Sequence, residues 1–174
     1  SGAGTLQIYG NVTGGSGAFH HYGVNNSSTG TISITGNVTG GGGGNYAYGV
    51  NNASTGTISI TGNVTGGSAG IAYGVNNNSN GTISITGNVT GGSSNIAYGV
   101  NNGSTGTISI TGNVTGGSGG NNAYGVNNAS TGTISITGNV TGGSVGNAYG
   151  VNNGSTGIVN VTGTSHYGRA AFAF

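Results

Sequence analysis

The chain has 174 residues, of which 44 are glycine, and it contains no proline, cysteine, methionine or tryptophan. Its one charged side chain is an arginine, which excludes a carboxylate pair for acid–base catalysis, an acidic cage for calcium or magnesium, and the positive charge that nucleic acid requires. No apolar run is long enough to cross a bilayer. The composition therefore predicts a protein that is not an enzyme, needs no metal or cofactor, and neither binds nucleic acid nor inserts into a membrane.

The first predicted elements are short strands in which apolar and polar residues alternate. The segment 5–9, Thr-Leu-Gln-Ile-Tyr, alternates with a period of two, and the segment 31–35, Thr-Ile-Ser-Ile-Thr, does the same. Asn37-Val38-Thr39 then gives a third short strand, and Tyr48 and Val50 are predicted to share one face of a fourth. Glycines separate these segments and mark turns, whereas nothing along the chain has a helical period.

A repeat of 25 or 26 residues governs the whole chain. The hexamer Gly-Asn-Val-Thr-Gly-Gly begins at positions 10, 36, 62, 87, 112 and 138, and it alternates with Gly-Val-Asn-Asn. Three short strands cannot bury a core alone, but stacked copies can. The sequence therefore predicts an all-β parallel β-helix, a β-solenoid of about six coils with roughly three strands each, over residues 1–164. A strand-like segment, 165–174, is predicted to follow it.

Stacking in register places identical residues in columns along the solenoid axis. Asparagine at a fixed place in each coil is expected to form ladders of side-chain amides. The repeated tyrosine is expected to point inward with stacked rings and bonded hydroxyls, or else outward as an aromatic stripe. The core is predicted to consist of isoleucine and valine columns that begin with Ile32, Ile34, Val38, Val50, Ile58, Ile60, Val64 and Val75.

The two ends of the chain depart from the repeat. Neither end contains an evident capping element, so either the chain is part of a longer repeat protein or copies stack head to tail through their open ends. His20-His21-Tyr22-Gly23 and His166-Tyr167-Gly168 are hypothesised to be two halves of one joint, and the terminal Phe-Ala-Phe is expected to add as a strand. The predicted subunit interface comprises Leu6, Ile8, Tyr9, His20, Tyr22, Val159, Val161, His166, Tyr167, Arg169, Phe172 and Phe174.

The surface suggests two other functions and one modification. Outward rows of Thr31, Ser33, Thr35 and their copies would form a regular hydroxyl lattice suited to ice, and an outward tyrosine stripe would suit an adhesin that binds glycans. Asn-x-Ser/Thr acceptor sites occur in nearly every coil, although a chain of this composition also produces them by chance. Covalent glycans are predicted at Asn37, Asn52, Asn63, Asn88, Asn102, Asn113, Asn128 and Asn139.

The repeat unit resembles known bacterial proteins. Thr-Ile-Ser-Ile-Thr-Gly-Asn-Val-Thr-Gly-Gly and Ala-Tyr-Gly-Val-Asn-Asn, over residues 5–162, are similar to the β-strand repeats of surface and secreted proteins such as filamentous-haemagglutinin-like and autotransporter-passenger β-helices. The resemblance implies an extracellular, extended scaffold without catalysis. We therefore expect a secreted structural protein whose principal partner is a second copy of itself.

Overall fold

The computed structural model of the chain describes residues 3–118, 120–144 and 146–167. Within these residues the chain forms 20 β-strands and no helix. This part of the chain therefore contains no helix that could span a membrane. The strands wind coil upon coil into three parallel sheets. This arrangement confirms the predicted β-solenoid of about six coils with three strands in each.

Sheet A carries the Thr-Ile-Ser-Ile-Thr strands. Its strands pair in parallel in the order of the coils, and each strand lies directly beside its counterpart in the next coil. Thr31 therefore pairs with Thr57, and Ile32 pairs with Ile58. The seven strands are β1 (Thr5–Tyr9), β4 (Thr31–Thr35), β7 (Thr57–Thr61), β10 (Thr82–Thr86), β13 (Thr107–Thr111), β16 (Thr133–Thr137) and β19 (Ile158–Val161).

Sheets B and C complete the coil with one very short strand and one longer strand. Sheet B contains β2 (Val12–Thr13), β5 (Val38–Thr39), β8 (Val64–Thr65), β11 (Val89–Thr90), β14 (Val114–Thr115), β17 (Val140–Thr141) and β20 (Ser165–His166). Sheet C contains β3 (His20–Asn26), β6 (Tyr46–Asn52), β9 (Ser68–Asn77), β12 (Ser93–Asn102), β15 (Asn122–Asn128) and β18 (Val151–Asn153). Because β20 pairs with β17, the last coil extends past the predicted boundary at residue 164.

The core consists of columns of isoleucine and valine side chains that stack along the solenoid axis. Side chains such as Ile58, Val64 and Val75 are fully buried, and they belong to one continuous cluster. Ile32 packs against this cluster but is only partly buried, because the first coil covers it imperfectly. The remaining residues of the predicted core set lie in the same cluster, namely Ile34, Val38, Val50 and Ile60.

Glycine makes the corner between sheets A and B possible. Gly36 has a φ of +150°, and the equivalent glycines of the other coils have φ values from +142° to +150°. Residues other than glycine rarely adopt this backbone conformation. At Gly36 a Cβ would also collide with the carbonyl group of Gly10 in the coil beneath. The invariant glycine therefore serves both the turn and the close approach of successive coils.

Sheet C bends where the sequence pattern predicts a straight strand. Ala47 is fully buried, and a Cβ on Gly49 would lie 2.8 Å from Val64 Cγ1, so both positions face the core. Val50, the next residue, is also in the core cluster. Two consecutive residues thus face inward at Gly49–Val50, and the alternation breaks there. The prediction that Tyr48 and Val50 share a face is wrong, because Tyr48 lies between two inward positions and points away from the core.

Candidate functional site: the two end coils

The first coil presents one unpaired edge of each sheet. Strands β1, β2 and β3 each stand at the edge of their sheet, and no other described strand pairs with their outer sides. Leu6, which continues the column of Ile32, is 54% exposed, and Tyr9 is 81% exposed. The apolar columns of the core therefore reach solvent at this end.

Hydrogen bonds at the first coil show which backbone groups remain free. Thr31 N–H donates to the Gly4 carbonyl oxygen at 2.9 Å, and Gly10 N–H donates to the Thr35 carbonyl oxygen at 2.9 Å. Because the direction of hydrogen bonding alternates along a strand, the even-numbered residues of β1 bond to β4. The N–H and C=O groups of Thr5, Gln7 and Tyr9 consequently point outward from the first coil.

The last strand of sheet A presents the complementary set. Ile158 N–H donates to the Gly132 carbonyl oxygen at 3.1 Å, and Thr162 N–H donates to the Ile136 carbonyl oxygen at 3.0 Å. By the same alternation, the N–H and C=O groups of Val159 and Val161 point away from β16. Both valines are partly buried against the core, while Ile158 is 55% exposed. The two ends of sheet A therefore carry matching backbone patterns and matching apolar columns.

The structure separates the two His-Tyr-Gly segments. His20 lies in β3 of sheet C, where it pairs with Tyr46, whereas His166 lies in β20 of sheet B, where it pairs with Thr141. The last coil reaches its His-Tyr pair after a shorter segment, which places His166 on the earlier sheet. A stack that continues the three sheets would not bring the two histidines together, so the shared His-Tyr-Gly joint stays a prediction that this placement does not support.

Other residues of the predicted interface, Tyr22 and Tyr167, lie in the end coils. Tyr22 begins the tyrosine column at the first coil, and Tyr167 packs edge-on against Tyr149 with the ring centroids 5.8 Å apart. Arg169, Phe172 and Phe174 lie outside the described residues. The described ranges contain no cluster of three or more histidine, cysteine, aspartate or glutamate residues that could hold a metal ion.

The tyrosine column is a continuous stack on the outer side of sheet C. Tyr48 and Tyr73 lie with their centroids 5.0 Å apart and their planes within 4° of parallel, and the spacing stays at or below 5.5 Å from Tyr22 to Tyr149. Burial, and secondarily the neighbouring tyrosines, raise the pKa of Tyr48 to about 12. Burial also raises the pKa values of Tyr73 and Tyr98.

The stack determines what the tyrosines can contact. Each ring face in the interior of the column is turned toward the next ring, so these faces are not free to stack on a sugar. No tyrosine hydroxyl forms a hydrogen bond within the described residues, in contrast to the bonded hydroxyls that the sequence predicts for inward rings. An adhesin that binds glycans stays a prediction, and the tyrosine column gives it no support.

Two ladders of asparagine amides run along sheet C, as the repeat predicts. On the first, the Asn51 Nδ2 group donates to Asn25 Oδ1 at 2.8 Å, and each following coil repeats the bond at 2.7 or 2.8 Å. On the second, buried amides such as Asn77 donate to a glycine carbonyl within their own coil. Asn77, Asn102 and Asn128 also donate to the next asparagine, at 3.1–3.4 Å. Amide side chains in one column of this molecule thus bond from coil to coil.

Burial divides the predicted glycosylation sites into two groups. Asn52, Asn102 and Asn128 are fully buried, and their Nδ2 atoms donate to glycine carbonyl oxygens at 3.1–3.2 Å. A glycan on Nδ2 is incompatible with that position in the folded coil, so the prediction is wrong at these three residues. The others are exposed and accept a backbone N–H from the next coil through Oδ1, and glycosylation stays a prediction at Asn37, Asn63, Asn88, Asn113 and Asn139.

Gln7 and Asn160 are two residues of the end coils that the sequence analysis did not single out. Both lie at the centre of sheet A strands, in the outward column that serine occupies in the five coils between them. Aligning the degenerate end coils against the repeat, position by position, shows that an amide replaces serine at both ends. The replacement can be recognised in the sequence once the end coils are aligned with the repeat.

No protein-family model, no curated protein and no solved structure matches the chain. The resemblance to bacterial surface repeats therefore stays a prediction.

Proposed function

We propose that this chain is a non-enzymatic structural protein of the cell exterior whose solenoids join head to tail into a filament or matrix. The observation that carries the proposal is the pair of unpaired, complementary edges at the two ends of sheet A. Outward N–H and C=O groups at Thr5, Gln7 and Tyr9 match those at Val159 and Val161, because the direction of hydrogen bonding alternates along each strand.

The parallel direction of the strands determines the kind of assembly. Because every described strand pairs in parallel, all three sheets continue in parallel only where the first coil of one copy stacks on the last coil of another. Such a contact is heterologous, and it propagates into a filament when its rotation does not close a ring. Unpaired strand edges and exposed core columns are also a common basis for edge-to-edge association. Location outside the cell rests on the resemblance of the repeat.

The near-absence of charge is consistent with this kind of growth. The chain carries one charged side chain and a formal net charge of +1. Like charges in one column would repel each other at a spacing of about 4.8 Å, and little repulsion opposes the addition of further copies here. Threonine, serine and asparagine on the outer faces keep the lateral surface hydrated.

A proline at the outer edge tests the proposal. The Gln7 N–H points away from β4, so Gln7→Pro removes a donor that the isolated solenoid does not use. Gln7→Asn, which keeps both the backbone N–H group and a side-chain amide, is the matched control. We expect light scattering and sedimentation to show long assemblies for the native chain and for Gln7→Asn, and short or single particles for Gln7→Pro. Native chain that stays monomeric at high concentration would contradict the proposal.

The outer face of sheet A supports ice binding as a second candidate function. Strands β4, β7, β10, β13 and β16 each place two threonines and one serine outward in register, and none of these fifteen residues is buried. Their hydroxyls form no hydrogen bond within the described residues. They are therefore free to order water on a lattice of about 4.8 Å by about 6.7 Å.

Thermal hysteresis measures this second function directly. Ser84→Lys would place a bulky charge in the centre of the lattice, whereas Ser68→Lys would place the same charge on an exposed position of β9. If the lattice binds ice, the native chain and Ser68→Lys depress the freezing point in the presence of ice crystals, and Ser84→Lys does so much less. Absence of hysteresis in the native chain would exclude the function.

A further inference from the structure

The two ends of sheet A differ from its middle at one column. Gln7 pairs with Ser33 at the first coil, and Ser135 pairs with Asn160 at the last. The serines between them make no side-chain bond to the next coil among the described residues. An amide thus stands at each end of a column whose interior members are short hydroxyls.

Amides in two columns of this molecule bond to one another along the axis. The Asn76 Nδ2 group donates to Asn51 Oδ1 at 2.8 Å, and the Asn147 Nδ2 group donates to Asn122 Oδ1 at 3.1 Å, although the latter pair is exposed. An amide carries both donors and acceptors, so it can bond to another amide at the spacing of adjacent strands. Gln7 and Asn160 have no such partner within one solenoid, because they lie at opposite ends.

We infer that two copies of this chain join in one defined register, with Val159 of one copy beside Leu6 of the next, Asn160 beside Gln7, and Val161 beside Ile8. The inference rests on the proposed function and adds to it the partner surface and the alignment. The amide pair of Asn160 and Gln7 is the side-chain contact that marks the joint.

The backbone supports this register. With these pairs, Val159 N–H donates to the Thr5 carbonyl oxygen of the next copy, and the Gln7 N–H of that copy donates to the Val159 carbonyl oxygen, as equivalent residues do in the interior. A shift by one residue would turn Leu6 and Ile8 away from the core columns. A shift by two would keep the faces but place Asn160 beside Thr5 or Tyr9, which separates the two amides.

Engineered cysteines test the register, because the chain contains no native cysteine. Directly paired parallel strands lie about 4.8 Å apart, which brings Gln7→Cys and Asn160→Cys within the range of a disulfide. Thr5→Cys with Asn160→Cys is the matched control, since the offset of two residues adds about 6.7 Å along the strand. Both double variants are assembled, oxidised mildly and separated on denaturing gels with and without reductant.

The inference predicts a ladder of covalent multimers for the first pair that reductant collapses to the 16.4 kDa chain. The control pair should remain largely monomeric on the same gel. Filaments of the first pair that do not cross-link, or a control that cross-links equally well, would overturn the register and leave the proposed function standing. Absence of assembly in the native chain would overturn the proposed function itself.

The amide pair has a second, independent readout in the native background. Gln7→Asn keeps an amide at the joint, whereas Gln7→Ser removes it and leaves the backbone intact. We expect Gln7→Ser to raise the critical concentration for assembly about fivefold, the effect of losing one hydrogen bond, and Gln7→Asn to change it much less. Equal critical concentrations for the two variants would contradict the pairing of Gln7 with Asn160. This test remains decisive if the cysteine variants fail to assemble.

Discussion

The interior coils and the end coils have nearly the same backbone but different surroundings. An interior residue such as Ile85 has an identical neighbour on both sides along the axis and is 1% exposed, whereas its counterpart Ile8 in the first coil has a neighbour on one side only. In a solenoid, stability is approximately a sum of coil and interface contributions. The same side chain should therefore contribute more in the middle than at an end, and joining two copies should remove the difference.

The largest expected effect is the loss of a core side chain from a middle coil. Ile85→Ala leaves a cavity between identical neighbours and should lower the free energy of unfolding by about 2–5 kcal/mol. Ile8→Ala, the same truncation in the first coil, should cost about 1 kcal/mol, because that site is already partly hydrated. Urea unfolding of the unassembled chain measures both. Equal costs at the two positions would contradict the comparison.

The corner glycine offers a matched pair with a somewhat smaller effect. Gly87 has a φ of +149° and its Cβ would collide with the Gly62 carbonyl, whereas Gly10 has a φ of +142° and open space around the Cβ position. Backbone strain should cost about 1–3 kcal/mol at either site after substitution by alanine. The collision adds to it only at Gly87. Thermal unfolding should therefore show a clearly larger loss of stability for Gly87→Ala than for Gly10→Ala.

Removing one rung from the first amide ladder should have a modest effect. Asn76 bonds to Asn51 on one side and to Asn101 on the other, each at 2.8 Å, while Asn152 makes one ladder bond and is exposed. Asn76→Ala should cost about 1–3 kcal/mol and Asn152→Ala about 0.5 kcal/mol. A chemical-denaturation series on the two variants checks the ratio, and a cost at Asn152 that equals that at Asn76 would argue against axial bonding as the cause.

The smallest expected effect concerns the ionisation of Tyr48, which changes stability only in alkali. The pKa of Tyr48 is raised to about 12 by burial, above the ordinary value of 10.0, so the folded state holds its proton more tightly than the unfolded state. The stability linked to this group is complete below pH 10 and declines as the pH rises toward 12. Circular dichroism against pH should show this decline, and Tyr48→Phe should lessen it. A stability that is flat from pH 9 to 12 would contradict the assignment.

The sequence was sufficient to predict the fold because one period recurs throughout. Identical residues at 25- or 26-residue spacing require in-register stacking, and the Ile and Val columns follow directly from it. Alternation alone could not predict the bend at Gly49–Val50, where two consecutive positions face the core. That bend turned the tyrosines outward and left their hydroxyls unbonded.

The differences from expectation at the candidate site have similar local causes. Asn52 matches a glycosylation triplet, but its amide reaches the Gly56 carbonyl four residues along the chain, and only the coil geometry shows that contact. His166 resembles His20 in sequence, yet the shorter last coil places it on another sheet. The end amides, Gln7 and Asn160, were recognisable from the repeat once each end coil was aligned by register.

The most direct test of the account is electron cryomicroscopy of the native chain after assembly. Continuous stacking predicts unbranched filaments one solenoid wide, with a layer line at about 4.8 Å. The strand spacing should continue unchanged across each joint between copies. A longer axial repeat of about seven such spacings should mark each joint. Separate particles no longer than one solenoid, or filaments whose strands do not run perpendicular to the axis, would contradict it.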